Sequence, residues 1–134
     1  MRMNISVPDD LAQEVRERDL PISAICQQAL REEANRARAR AEVASKGFER
    51  VEVYDSKRER DVAFQGRRIG RSFEREMLEA WLTPKEAIAV YSGDRQELYT
   101  YDGYDEFAAD NLPEDLMAEV AAVLGEKYVE ELDI

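Results

Sequence analysis

Residues 2–15, RMNISVPDDLAQEV, place a short strand pattern directly before a helix start. The strand pattern alternates between apolar Met3, Ile5 and Val7 and polar Arg2, Asn4 and Ser6. Because successive strand side chains point to opposite faces, the alternation predicts a half-buried strand over residues 2–7. Pro8 ends this strand. The acidic residues that follow predict a helix start with Pro8 or Asp9 at its cap.

A second helix is predicted after the break at RDLPIS, residues 18–23. Pro21 disfavours a helical conformation at Leu20, and Ser23 is a suitable cap for the new helix. We expect this helix to continue to a stop at Gly47 and to bury one apolar face. That face consists of Ile22, Ile25, Cys26, Ala29 and Leu30. Residues 1–47 are therefore predicted to form a strand-helix-helix unit.

Strand patterns dominate the chain after Gly47. ERVEVYD (49–55) and DVAFQG (61–66) predict two strands joined by the charged turn SKRER, and the end of EREMLEAWLT (74–83) predicts a third. Residues 86–104 predict a hairpin around Ser92-Gly93-Asp94, and residues 105–134 predict a short helix and a longer one opened by Pro113. The predicted fold class is α+β, with a second domain at residues 48–134 that contains an antiparallel sheet and C-terminal helices.

The net charge of −11 is unevenly distributed along the 134 residues. Residues 1–47 contain eight Lys or Arg and eight Asp or Glu, residues 48–75 contain eight and six, and residues 76–134 contain three and sixteen. The acidic excess lies in the last part of the chain, so the N-terminal half need not repel a phosphate backbone at close range. The charge does not exclude DNA binding.

The residue types present argue against several classes of protein. The chain has no His and one Cys, which excludes an intramolecular disulfide and the usual structural zinc sites and removes the commonest general base. The N-terminus has no apolar stretch long enough for a signal peptide or a membrane span. We therefore expect a cytoplasmic protein that is not an enzyme, with no catalytic residue, metal, cofactor or membrane partner.

The predicted N-terminal strand needs a partner. One strand and two helices cannot satisfy the strand backbone or enclose a core. The simplest partner is the same strand of a second chain, paired antiparallel about a two-fold axis in an intertwined homodimer. Arg2, Asn4 and Ser6 of both chains would then project from a two-stranded ribbon. Such a ribbon fits the major groove of B-DNA, where Arg matches guanine and Asn matches adenine.

The order of these elements, with the second helix in ISAICQQALREEANR, resembles the ribbon-helix-helix DNA-binding family over roughly residues 3–41. Within that family it is most similar to antitoxins of the Ccd toxin-antitoxin type. The resemblance implies a dimer that reads bases through Arg2, Asn4 and Ser6. It also implies that Ser23 and the backbone N–H groups of Ser23 and Ala24 anchor a DNA phosphate, as a helix N-terminus can. Arg16 and Arg18 are further candidates for nearby phosphates.

We therefore expect a bacterial-type transcriptional regulator that binds double-stranded DNA as a homodimer and represses its own operon, with higher oligomers on DNA left open. One alternative is an antitoxin that binds its toxin, a protein partner, through residues 48–134. In the Ccd type that region is short and polar, whereas here it is longer and rich in strand patterns. A small-molecule sensor in residues 48–134 is a second alternative.

Four other features admit two interpretations each. RARAR (36–40) fits a solvated, salt-bridged helix better than a DNA contact. QGRRIGR (65–71) fits a strand turn whose arginines, Arg67, Arg68 and Arg71, face the acidic C-terminal region better than a phosphate loop. Tyr91, Tyr99, Tyr101 and Tyr104 fit ordinary strand packing better than a ligand pocket or interface. Cys26 fits a small buried apolar residue better than a redox switch.

Overall fold

The computed structural model describes residues 4–130 and 132–134. Its helices are α1 (Asp9–Glu17), α2 (Ile22–Ser45), α3 (Tyr104–Ala109) and α4 (Glu114–Leu124). Its strands are β1 (Glu49–Asp55), β2 (Arg60–Ser72), β3 (Leu78–Leu82), β4 (Ile88–Ser92) and β5 (Glu97–Tyr101). The chain divides into two compact units, Met1–Ala34 and Asn35–Ile134, and the division falls within α2. The mixed α+β class is confirmed.

No helix in the described part of the chain combines the length and the apolar character that a membrane span requires.

Each of the two N-terminal helices begins directly after a proline. The Pro8 carbonyl accepts the Ala12 N–H at 2.9 Å, and the Pro21 carbonyl accepts the Ile25 N–H at 3.0 Å. Pro21 therefore occupies the cap position that the sequence assigned to Ser23, and Ser23 lies inside the first turn of α2. The reason is that a proline carbonyl can accept the first helical hydrogen bond although the residue has no N–H to donate.

The described part of the predicted N-terminal strand forms no strand in the single chain. Residues 4–8 have no regular secondary structure, and residues 2 and 3 of the prediction lie outside the described residues. A strand is defined by its hydrogen bonds to a neighbour, and an isolated extended segment has none. The two-stranded ribbon therefore stays a prediction.

The second unit is built around a five-stranded antiparallel sheet in the order β1-β2-β3-β4-β5. The sheet is curled, because the Ser56 N–H after β1 donates to the Gln96 carbonyl before β5 at 2.7 Å. The predicted strands and the hairpin around Ser92-Gly93-Asp94 are confirmed. The second strand is longer than predicted: QGRRIGR lies within β2 and not in a turn, with a bulge between Arg68 and Gly70.

One face of the sheet packs against α3 and α4. The core between them includes Ile69, Leu82, Ile88, Val90, Phe107, Leu116, Val120 and Leu124. Gly70 permits the close approach of α4, because a Cβ at this position would lie 2.9 Å from Val120 Cγ2. The opposite face carries Phe64 and Trp81, whose rings meet edge to face with centroids 5.5 Å apart. Both faces of the sheet are thus substantially apolar.

The C-terminal half of α2 belongs to this second unit. Val43 is buried in its core. A Cβ at Gly125, the residue that ends α4, would lie 2.8 Å from the Asn35 carbonyl oxygen and 3.0 Å from Ala39 Cβ. The end of α4 therefore lies directly against the backbone of α2.

Candidate nucleic-acid interface

The first unit has almost no interior of its own. Not one of its described residues, 4–34, is buried. Large apolar side chains are instead exposed, among them Ile5, Val7, Leu11, Leu20, Ile22, Ile25 and Leu30. Ile25 and Leu30, which the sequence predicted to be buried, are 50% and 53% exposed. In the single chain nothing in the described part of this unit covers the apolar face of α2, so the predicted burial of this face stays a prediction that requires a second surface.

Three apolar residues of this unit are partly covered. Ala12 and Val15 of α1 and Cys26 of α2 are half-buried. The turn between the helices is fixed by Asp19, whose φ of 49° is in the left-handed region, and by the Leu20 N–H, which donates to the Val15 carbonyl at 3.2 Å. Asp tolerates this conformation better than most residues do. The helix pair thus has a defined turn but an incomplete core.

The predicted base-reading residues are accessible where they are described. Asn4 and Ser6 are exposed, and Arg2 lies outside the described residues. Their apolar neighbours Ile5 and Val7 are exposed as well, at 62% and 44%. The single chain therefore does not separate a buried face from a polar face in this segment, and only a partner surface could do so.

The predicted phosphate-anchoring residues occupy two places. Ser23 and Ala24 lie in the first turn of α2, where the backbone N–H groups have no partner within the helix. Arg16 and Arg18 lie at the end of α1 and are exposed. The Arg18 Nε donates to Glu14 Oε1 at 3.0 Å, one turn earlier in the helix. An exposed pair of this kind is weak, so Arg18 can exchange its carboxylate partner for a phosphate at little cost.

The tyrosines of the hairpin form hydrogen bonds and a cation–π contact within the second unit. The Tyr91 hydroxyl donates to the Tyr54 carbonyl at 2.7 Å, and the Tyr101 hydroxyl donates to Asp110 Oδ2 at 2.5 Å. Burial, together with the adjacent Asp110 carboxylate, raises the pKa of Tyr101 well above its ordinary value. The Lys57 ammonium lies 3.8 Å from the centroid of the Tyr99 ring. These contacts favour the packing interpretation.

The arginines of QGRRIGR pair with neighbouring strands. Arg67 lies 3.5 Å from Glu49, and both Arg68 and Arg71 approach Glu79, at 3.7 and 3.9 Å. The predicted pairing with the acidic region, residues 76–134, thus holds for Arg68 and Arg71 and is wrong for Arg67, whose partner is Glu49. C-terminal Glu119 also accepts the backbone N–H of Arg71, at 2.7 Å. The cause is the extension of β2, which places these side chains beside β1 and β3.

Arg40 has a role that the sequence did not indicate. Its guanidinium donates to the Leu124 carbonyl and to Glu126 Oε1, each at 3.1 Å. It thereby satisfies the C-terminal end of α4, where carbonyl groups lack helical partners. The alternation in RARAR gave no sign of this, because the acceptors lie more than 80 residues away. Arg40 is thus salt-bridged, as predicted for RARAR, but it lies at a partly buried contact with the end of α4 and not on a solvated helix face.

No curated protein and no solved structure matches the chain. One family model does match: that of the post-segregation antitoxin CcdA, over residues 1–65. The match covers the whole first unit, the rest of α2, β1 and the start of β2. The N-terminal region of the chain is antitoxin-like.

Proposed function

We propose that the chain is a homodimeric, sequence-specific DNA-binding regulator that represses its own operon. The observation that carries the proposal is the exposure of large apolar side chains throughout residues 4–34, with none of the residues there buried. A second copy would cover these side chains and would also supply the strand partner that residues 2–7 need. Burying a side chain such as Ile or Leu contributes about 1.5–3 kcal/mol, so a shared core would stabilise both copies.

In the proposed dimer, Arg2, Asn4 and Ser6 of both copies project from the ribbon into the major groove and read base edges. The first turn of α2, with Ser23 and Ala24, offers backbone donors to a phosphate beside the groove. The arginines at the end of α1 add charge there. Phosphate contacts position the dimer, and ribbon contacts carry the sequence preference. Repression follows from occupancy of the operator.

The test compares Asn4→Ala with Asn111→Ala, an exposed asparagine of the second unit that serves as control. Binding to DNA from upstream of the coding sequence, and to scrambled DNA, is measured by fluorescence anisotropy. Loss of one bidentate base contact in each copy, two contacts in the dimer, should lower the specific-to-scrambled affinity ratio by at least about thirtyfold. The control should leave the ratio unchanged. Full preference in Asn4→Ala would refute the ribbon.

The oligomeric state gives a separate test of the same proposal. Ile25→Asp places a charge in the proposed shared core, whereas Asp10→Asn changes a charge at the exposed start of α1. By sedimentation velocity at low micromolar concentration, Ile25→Asp should shift the smallest species from dimer to monomer. An unchanged dimer would mean that this apolar face is not the interface.

A second candidate function is antitoxin activity, which the family match over residues 1–65 favours. We propose that residues 48–134, which carry the whole net charge of −11, bind a toxin protein whose surface is basic. Co-expression with the product of the adjacent gene should relieve growth arrest and yield a complex that co-purifies. Asn4→Ala should retain this protection while losing operator preference, which would separate the two activities. If growth arrest is not relieved and no complex forms, the antitoxin function is refuted.

A further inference from the structure

A cavity of about 380 Å³ lies on the second unit, beside the turn that joins β4 to β5. Leu78 of β3 and Val90 of β4 line it and are buried, and Tyr99 and Tyr101 of β5 line it beside them. Val90 is directly opposite Tyr99 in the register of the sheet. Because alternate residues of a strand share one face, all four side chains lie on the face that α3 and α4 cover. We name this feature the hairpin cavity.

The hairpin cavity exists because the helices leave this end of the sheet uncovered. α3 ends at Ala109 and α4 begins at Glu114, so the connection between them, residues 110–113, lines the cavity in place of a helix. Leu112 and Pro113 of this connection add aliphatic lining. Pockets for small ligands have volumes of about 300–1,000 Å³ and combine apolar lining with a few polar groups. The hairpin cavity has the size and the composition of such a site.

An ion pair places Arg95 at the hairpin cavity. The Ser92 hydroxyl, which lies on the same sheet face as Val90, donates to Glu76 Oε2 at 2.8 Å. Glu76 Oε1 in turn forms an ion pair with Arg95 Nε, also at 2.8 Å. A guanidinium has four N–H donors besides that of Nε, in a planar arrangement that fits a carboxylate. Arg95 can therefore bind the carboxylate of a ligand and keep its contact with Glu76.

Asp110 supplies a carboxylate to the lining of the hairpin cavity. Its Oδ2 accepts the Tyr101 hydroxyl at 2.5 Å, and its Oδ1 accepts the Asn111 N–H at 2.9 Å. The contact with Tyr101, whose ring lines the cavity, holds the carboxylate in place. Among the described residues, no Lys or Arg forms an ion pair with Asp110. Because each carboxylate oxygen can accept a further hydrogen bond, the ammonium group of a ligand can bind here.

The charged residues that line the hairpin cavity are balanced in sign. They are two cations and two carboxylates, Arg75, Arg95, Glu76 and Asp110. Net charge therefore favours neither an anion such as phosphate nor a simple amine. A ligand with one charge of each sign can pair with both Arg95 and Asp110. An aliphatic group on that ligand would pack against Leu78 and Val90. An α-amino acid combines these three features, a carboxylate, an ammonium group and an aliphatic side chain.

We propose that the hairpin cavity binds a free α-amino acid with an aliphatic side chain. The carboxylate of the amino acid accepts hydrogen bonds from Arg95, and its ammonium group donates to Asp110. The hydroxyl contacts of Tyr99 and Tyr101 persist, because the ligand meets the tyrosine rings. Such a site gives the second unit a small-molecule input. The proposal depends neither on DNA binding by the first unit nor on a toxin partner, since every residue of the lining lies within residues 75–113.

The test is isothermal titration calorimetry of the full-length chain with L-leucine and three analogues. Two analogues each lack one charged group: 4-methylpentanoate has no ammonium group, and 3-methylbutylamine has no carboxylate. Glycine keeps both charges and lacks the side chain. Leucine should bind with a Kd of about 1 mM or lower, and each analogue should bind at least about tenfold more weakly than leucine. Absence of leucine binding, or equal affinity for any of the three analogues, would overturn the proposal.

Two variants then locate the site. Arg95→Gln should weaken leucine binding at least about tenfold without weakening that of 3-methylbutylamine, and Asp110→Asn should do the same without weakening that of 4-methylpentanoate. An Asn at position 110 can still accept the Tyr101 hydroxyl, so this variant should fold. Asp105→Asn, at the exposed start of α3 and outside the lining, is the control and should bind leucine as the unmodified chain does. Leucine should also shift the backbone amide signals of β5 and of residues 110–112 in nuclear magnetic resonance spectra. Unchanged leucine affinity in both variants, or shifts confined to other residues, would place the ligand elsewhere and refute the assignment.

Discussion

Replacement of Arg40 by Met provides a sharp test of how the second unit is held together. Arg40 and Glu126 are only 18% and 13% exposed at their side chains, and the guanidinium donates to both Glu126 and the Leu124 carbonyl. Met keeps most of the aliphatic stem but removes both charge-assisted hydrogen bonds and leaves Glu126 without its cation. Such bonds contribute about 1.5–3 kcal/mol each, and partial solvation after the substitution offsets part of the loss.

We expect a net destabilisation of about 2 kcal/mol, which corresponds to a roughly 30-fold change in the unfolding equilibrium constant. For a unit of about 100 residues this lowers Tm by about 10 °C. Urea unfolding followed by circular dichroism measures the free energy, and calorimetry measures Tm. Arg38→Met is the control, because Arg38 is exposed on the same helix and, among the described residues, donates only to the nearby Asn35 side chain, at 3.2 Å. A stability of Arg40→Met within about 0.5 kcal/mol of the control would refute the role assigned to Arg40.

Three further outcomes test the second unit. Gly125→Ala should cost about 1–3 kcal/mol in urea unfolding, because φ is 68° and the new methyl would meet the Asn35 carbonyl, whereas Gly103→Ala should cost less since its Cβ position is open. Burial alone would raise the pKa of Asp55, but hydrogen bonds from Arg58 and from backbone N–H groups, with the Arg58 charge, hold it below 3.8. Its contribution to stability is therefore present above the unfolded-state pKa of about 4 and is lost as the pH falls through the lower folded-state pKa, so Asp55→Asn should flatten the acid limb of a stability profile. A fragment of residues 35–134 should melt cooperatively and at a higher temperature than one of residues 48–134, which lacks Val43 and Arg40; equal melting temperatures would contradict the packing of α2 on this unit.

Most of the second unit could be predicted from the sequence because its signals are local. The alternating runs on either side of Ser92-Gly93-Asp94 give a hairpin, Pro113 opens α4, and Gly47 ends α2 with a φ of 83°. The prediction that failed concerns a segment whose structure depends on residues distant in the sequence. QGRRIGR contains two glycines and three arginines, which locally favour a turn. Its pairing with LEAWL and its contact with α4 override that preference and extend β2 through a bulge.

The N-terminal unit presents the reverse situation. Its two helices follow from the sequence, although Pro21 and not Ser23 begins α2, but the described part of its predicted strand and its buried face do not form in one chain. Ile5, Ile22 and Ile25 have the spacing of core residues and nothing to pack against. The periodicity of apolar residues predicts which face of an element is buried. It does not indicate whether the surface that covers this face belongs to the same chain. The candidate DNA-binding residues Asn4 and Ser6 depend on that missing surface and stay a prediction.

The single tryptophan and the single cysteine of the chain fall in different units. Trp81 is 8% exposed against Phe64 in the sheet, and Cys26 is half-buried on α2. Indole fluorescence therefore reports the unfolding of residues 35–134, and the rate of thiol alkylation reports the opening of residues 1–34. The protein carries a spectroscopic probe in one unit and a chemical probe in the other, and the order in which the two units lose structure can be measured without any substitution.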